Sequence, residues 1–163
     1  NLRKNAYPFD WLCCPQKGLY NLIKNDFNNF LDNIIICKKE HGRYLDDSGI
    51  IKFNKDYIYP IICKEYKLLF LHDFKNLSDI EFETVKNKYN RRIKRLIDLL
   101  KSNNQIILVY DDKPLIRQSR LIYWKNKINY KELYDSESYL DKIIDLIKKK
   151  FSKDIKIISI NVL

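Results

Sequence analysis

KLLFLHDFKNLSDIEFETVKNKYNRRIKRLIDLLKSNNQIILVY, residues 67–110, holds the segments whose order decides the architecture. Residues 67–71 form a nearly unbroken apolar run that stops at His72 and Asp73, the pattern of a central strand buried on both faces. Ser78 followed by Glu81 makes a capping box, and Phe82, Val85, Tyr89, Ile93, Leu96 and Leu100 recur at helical spacing, which predicts a long helix over 79–101. Asn103 and Asn104 interrupt it. Residues 105–110 then read as a second buried strand, closed by the turn chemistry of Asp111, Asp112 and Pro114. Strand, helix and strand in that order imply a parallel crossover.

Upstream, Leu19, Leu22, Ile23, Phe27, Phe30 and Leu31 predict a helix over 17–31. Residues 34–37 look like a short strand, and the polar passage from His41-Gly42 to Ser48-Gly49 suits a hairpin or an excursion from the sheet, with His41 at the surface. Residues 57–63 belong at a sheet edge, because Pro60 cannot donate to a ladder. Downstream, Tyr139, Leu140, Ile143, Ile144, Ile147 and Phe151 mark a last helix, and residues 155–162 alternate as a terminal strand. The expected fold is α/β, a single domain over residues 1–163 with a mostly parallel sheet and helices on both faces.

Length and composition fit that expectation. With 163 residues, 45% of them hydrophobic, the chain is sized for one core, and its apolar runs are far shorter than the roughly 20 residues of a membrane crossing. Four cysteines without paired spacing argue for reduced thiols in a cytoplasmic protein, with no structural metal and no cofactor. The absence of methionine, even at position 1, marks a fragment or a processed product. Heavy use of Asn, Lys and Ile suggests an AT-rich genome such as that of a large virus, in which case the compartment is the host cytoplasm. A formal net charge of +10 favours anionic partners, although codon bias onto a solvated surface contributes to it.

Several side chains stand out as candidates for chemistry. His72 lies where a buried strand ends, a position from which an imidazole can act as general base, with Asp73 beside it. On the long helix Arg92 falls within the apolar stripe while Arg91 points to the wet face, so Arg92 needs a carboxylate or a bound anion, with Asp10 and Asp73 its natural partners. Pro8 holds Tyr7 extended, and Phe9 and Trp11 are large anchors, so the segment presents Asp10 in a fixed pose. Cys13 and Cys14 read as passive thiols at the start of a helix.

LRKNAYPFDWL (2–12), LIKNDFNNFLD (22–32), FLHDF (70–74), KYNRRIKRLIDLL (88–100) and IILVY (106–110) together resemble, in order and spacing, a family of bacterial and large-DNA-virus proteins labelled putative papain-like cysteine peptidases. The resemblance spans roughly residues 1–110. It implies a cysteine hydrolase acting on a protein or peptide, with His72 as base, Asp10 and Asp73 as site acids, and Arg91 and Arg92 as ligand-binding motif arginines. Members of that family begin with a strand and a G-x-x-C loop ahead of this region, so the resemblance also implies that the chain lacks its N-terminal strand and the family nucleophile. Cys13 and Cys14 stand where the family has small polar residues. An inactive or truncated relative is the same resemblance without the chemistry.

A non-enzymatic alternative rests on KPLIRQSRLIYWKNKINYK, residues 113–131. Arg117 and Arg120 alternate there with Tyr123 and Trp124, the mix that neutralises phosphates and stacks on bases. An amphipathic basic helix turning Leu121, Ile122 and Trp124 inward uses the same letters.

Overall fold

A computed structural model describes residues 7–37, 40–45, 51–111 and 138–160. Strands β5 (Ile61–Cys63) and β6 (Leu68–Phe70) are apolar at every position and all six side chains are fully buried. The two strands pair antiparallel. β1 (Leu12–Cys13) adds to the free side of β6 and β2 (Ile34–Ile36) to the free side of β5, so the sheet runs β1-β6-β5-β2 with every neighbour antiparallel. Ile61, Cys63, Leu68 and Phe70 face the main core, where α1 (Gln16–Lys24), α2 (Asp79–Lys101) and α3 (Leu140–Phe151) all bury their apolar stripes. The opposite face gathers Cys13, Cys37, Ile62, Leu69 and Leu71 under Ile35 and Tyr110.

The sheet is thus mostly antiparallel, which corrects the expected mostly parallel α/β arrangement, and the described helices share one face instead of covering both. The run at 67–71 was a genuine sign of two-faced burial, whereas the strand expected to be buried at 105–110 exposes Ile107 and Val109 by 52% and 61%; burial in either case carries no information about strand direction. Connection length does. Only residues 64–67 separate β5 from β6, whereas a parallel return takes about a dozen residues or more. The crossover inferred around α2 is also absent, because β7 (Ile106–Asp111) pairs with β8 (Ile155–Ile160) and not with β6. That pair, in register from Ile106↔Ile155 to Asp111↔Ile160, is the one parallel ladder among the described residues. β3 (Glu40–Leu45) and β4 (Ile51–Ile58) make a separate antiparallel hairpin with an irregularity between His41 and Arg43. Pro60 is not at a sheet edge either: it immediately precedes the interior strand β5, where its missing N–H falls outside the ladder and its carbonyl accepts from Cys37 N at 2.8 Å.

Helix α1 stops about two turns before its apolar pattern does, at Lys24 instead of Leu31. Asp26 adopts a left-handed φ of 53°, Phe27 N reaches back to Leu22 O at 2.9 Å and Asp26 N to Ile23 O at 3.2 Å, a Schellman-type ending. Lys150 of α3 completes it, donating to the carbonyls of Ile23 and Lys24 and to Asp26 Oδ1 at 2.9, 2.8 and 2.6 Å. A cation is stabilising at that end of a helix dipole. Phe27 and Phe30 remain buried beyond the helix, so the apolar spacing reported burial correctly and helicity only in part.

Candidate functional site

The loop leaving β6 is pinned by the apolar residues on either side of His72 and Asp73. Leu71 and Phe74 are buried, Phe74 packing edge-on to Phe70 at 6.3 Å and tilted on Phe82 at 4.8 Å, while the carbonyl of Phe74 accepts from Tyr59 N at 2.8 Å. Between them His72 is exposed and the Asp73 side chain is only 9% exposed. Burial of a carboxylate requires partners, and Asp73 has two on α2: Oδ2 accepts from Tyr89 Oη at 2.8 Å and Oδ1 pairs with Lys88 Nζ. Tyr89 itself is completely buried. Its ring meets Phe70 edge-on at 5.3 Å and Phe30 at 5.2 Å, and burial, then the Asp73 charge, push its phenol well above the ordinary range. It serves the site as a neutral donor.

Arg92, one turn further along α2, is half-buried, and Arg91 is exposed, as the helical period requires. The guanidinium of Arg92 lies over the Tyr89 ring, 5.2 Å from its centroid, a contact worth about 0.5–2 kcal/mol. No carboxylate among the described residues pairs with it, and its Nη1 is buried without a hydrogen-bond acceptor. Asp73, the partner expected from sequence, is engaged by Lys88 and Tyr89, which sit closer to the loop. The other expected partner, Asp10, belongs to a short 3-10 helix, Pro8–Trp11, that packs against α2; its side chain lies outside the described residues.

Glu81 organises the remainder of the loop. Instead of closing back on the cap, its carboxylate accepts from three loop amides, Lys75 N at 2.8 Å, Asn76 N at 3.0 Å and Leu77 N at 2.7 Å, while its own N–H donates to Ser78 Oγ at 3.2 Å. Leu77 takes a left-handed φ of 59° to allow this. Partial burial alone would raise the Glu81 carboxyl, but the three amides outweigh it and hold it below its ordinary value. Its stabilisation is therefore complete above the ordinary carboxylate range and lost as pH falls through the lowered value. Glu81→Gln is expected to cost about 1 kcal/mol near neutral pH, with the gap from wild type narrowing in acid, read from urea unfolding at several pH values.

The four cysteines, Cys13, Cys14, Cys37 and Cys63, are free and buried. Burial, followed by the neighbouring thiols of Cys13 and Cys63, pushes Cys14 far up; burial likewise raises Cys63, against a smaller opposing effect of backbone amides at Tyr66 and Glu65. A thiolate nucleophile needs exposure and a lowered pKa, so these thiols are core residues. Among the described residues there is no cluster of His, Cys, Asp and Glu able to hold a metal and no helix long and apolar enough to cross a membrane. Arg117, Arg120, Tyr123 and Trp124, the proposed nucleic-acid contacts, lie outside the described residues.

The structure therefore brings Asp73, Lys88, Tyr89 and Arg92 together, with the exposed His72 preceding Asp73 in the loop. Sequence reasoning missed Lys88 and treated Tyr89 as stripe packing. A tyrosine in an apolar stripe does carry a signal, since its buried hydroxyl must find an acceptor, and the nearby unassigned acid was Asp73. Comparison with known proteins gives one family: a model described as "Putative papain-like cysteine peptidase (DUF1796)" matches residues 1–119. No curated protein and no solved structure matches the chain.

Proposed function

Because the chain belongs to the DUF1796 family, whose model it matches over residues 1–119, we propose that it supplies the base side of a thiol-hydrolase site, with His72 as general base. The observation that carries this reading is the loop after β6, an exposed imidazole on a backbone held by the buried Leu71 and Phe74 and by the anchored Asp73. In this reading His72 takes the proton of a cysteine thiol, and the sulfur bonds to the scissile carbonyl carbon. The imidazolium then protonates the departing amine, and water attacks the thioester to release acid and regenerate the thiol. Asp73 acts as a positioning residue, because both its oxygens are taken by α2 and hold the histidine loop in one place. Asp10, on the short helix against α2, is the second site acid of this reading, and Arg91 and Arg92 line its substrate side.

The four cysteines of the sequence are buried and are not the nucleophile of this reading. Electrophilic peptide probes reacted with the full-length protein, followed by mass-spectrometric location of the adduct, test it. The expected result is labelling that spares Cys13, Cys14, Cys37 and Cys63 and is slowed about 10²–10⁴-fold in His72→Ala. Labelling that ignores His72, labelling at Cys13, Cys14, Cys37 or Cys63, or no labelling overturns the assignment.

A further inference from the structure

Among the described residues no carboxylate meets the demand of the Arg92 guanidinium for an anion. The segment from Lys88 to Arg95 holds five cations, Lys88, Arg91, Arg92, Lys94 and Arg95. The helical neighbours of Arg92, three and four residues away, are Lys88, Tyr89, Arg95 and Leu96, and those of Arg91 are Asn87, Lys88, Lys94 and Arg95. None is acidic. Asp73, the nearby carboxylate, has both oxygens occupied, by Lys88 and by Tyr89. Arg92 Nη1 consequently remains a buried donor without an acceptor, on a guanidinium whose plane is steadied by the Tyr89 ring.

A guanidinium fixed in this way is suited to bidentate recognition of an oxyanion, because its donors form a rigid fork that matches carboxylate or phosphoryl oxygens. Tyr89 Oη donates its hydrogen to Asp73 and can still accept through its lone pairs, and the nearby guanidinium acts to lower its phenol, but Nη1 itself finds no acceptor there. We infer that Arg92, flanked by Arg91, seats a carboxylate or phosphoryl oxyanion of the substrate on α2, beside the His72 loop. The substrate assignment rests on the hydrolase reading above, whereas oxyanion binding at Arg92 stands or falls by itself. The substrate class is then an acidic or phosphorylated peptide.

The test titrates wild-type protein and the variants Arg92→Gln, Arg91→Gln and His72→Ala with inorganic phosphate, acetate or chloride at constant ionic strength, following the thermal midpoint. For a single bidentate contact the expected dissociation constant is on the order of 1 mM. Wild type, Arg91→Gln and His72→Ala should rise in midpoint with phosphate or acetate and not with chloride, and Arg92→Gln should show no rise. A response to phosphate alone identifies a phosphoryl seat, and one to acetate alone a carboxylate seat. An equal rise in Arg92→Gln, or no rise in wild type with either oxyanion, overturns the inference. Should Arg92→Gln fail to fold, the Arg92 side-chain NMR resonance of wild type decides: it must shift with an oxyanion and stay still with chloride. Since His72→Ala retains the response, loss of the hydrolase reading and loss of this one are separate results.

Discussion

Tyr89→Ala is expected to lower the stability of the fold by about 4 kcal/mol, the largest effect at any residue of the site. Tyr89 is completely buried, and its ring fills the space between Phe30, Phe70 and the guanidinium of Arg92. Truncation leaves a cavity that two rigid rings cannot collapse into, removes the donor to Asp73 Oδ2 and takes away the surface beneath Arg92. Tyr89→Phe separates these contributions. It keeps the packing and removes only the hydroxyl, so it should cost about 1–2 kcal/mol. Urea unfolding with the slope held common measures both. If the phenylalanine variant were as damaged as the alanine one, the ring packing would not be what Tyr89 contributes. If it were as stable as wild type, the bond to Asp73 would have no structural weight.

Gly18→Ala should destabilise by about 2–3 kcal/mol, the cost of forcing extra atoms into a close-packed interior. The expectation runs against local propensity, since replacing glycine by alanine inside a helix ordinarily gains about 0.5–1 kcal/mol. Here a Cβ on Gly18 would stand 2.1 Å from the carbonyl oxygen of Tyr66, a backbone atom in the turn between β5 and β6. That turn is anchored to the far end of α1 as well, because Tyr66 Oη donates to Asn28 O at 2.7 Å and accepts from Asn25 Nδ2 at 3.3 Å. It has little freedom to retreat. Lys24→Ala, on the exposed side of the same helix, is the control and should be close to neutral. Equal stability of Gly18→Ala and wild type would show that helix and turn can separate at little cost.

Much of the local structure was legible because it is dictated by neighbours in the chain. The Ser78 cap and the stripe from Phe82 to Leu100 placed α2 at its observed bounds, and the angular offset between consecutive residues put Arg92 inward and Arg91 outward. The runs at 67–71 and 105–110 marked strands that do exist. The end of α1 was less legible, since Phe27 and Phe30 keep helical spacing while the Asn- and Asp-rich backbone between them turns left-handed. At the site, His72 and Asp73 could be named from their position after a strand, but their surroundings could not.

Apolar periodicity and capping, which act over a few residues, were enough to place the helix starts and most of the buried side chains, though not the outward-facing Ile107 and Val109. Only the tertiary structure decided that β5, β6, β1 and β2 run antiparallel, that β7 turns to β8 instead of β6, and that Asp73 goes to Lys88 and Tyr89 and leaves Arg92 unsatisfied. The physical reason is the same in each case. A side chain's period reports that it is buried, whereas the direction of the neighbouring strand and the owner of a particular carboxylate depend on segments distant in the chain competing for the same hydrogen bonds.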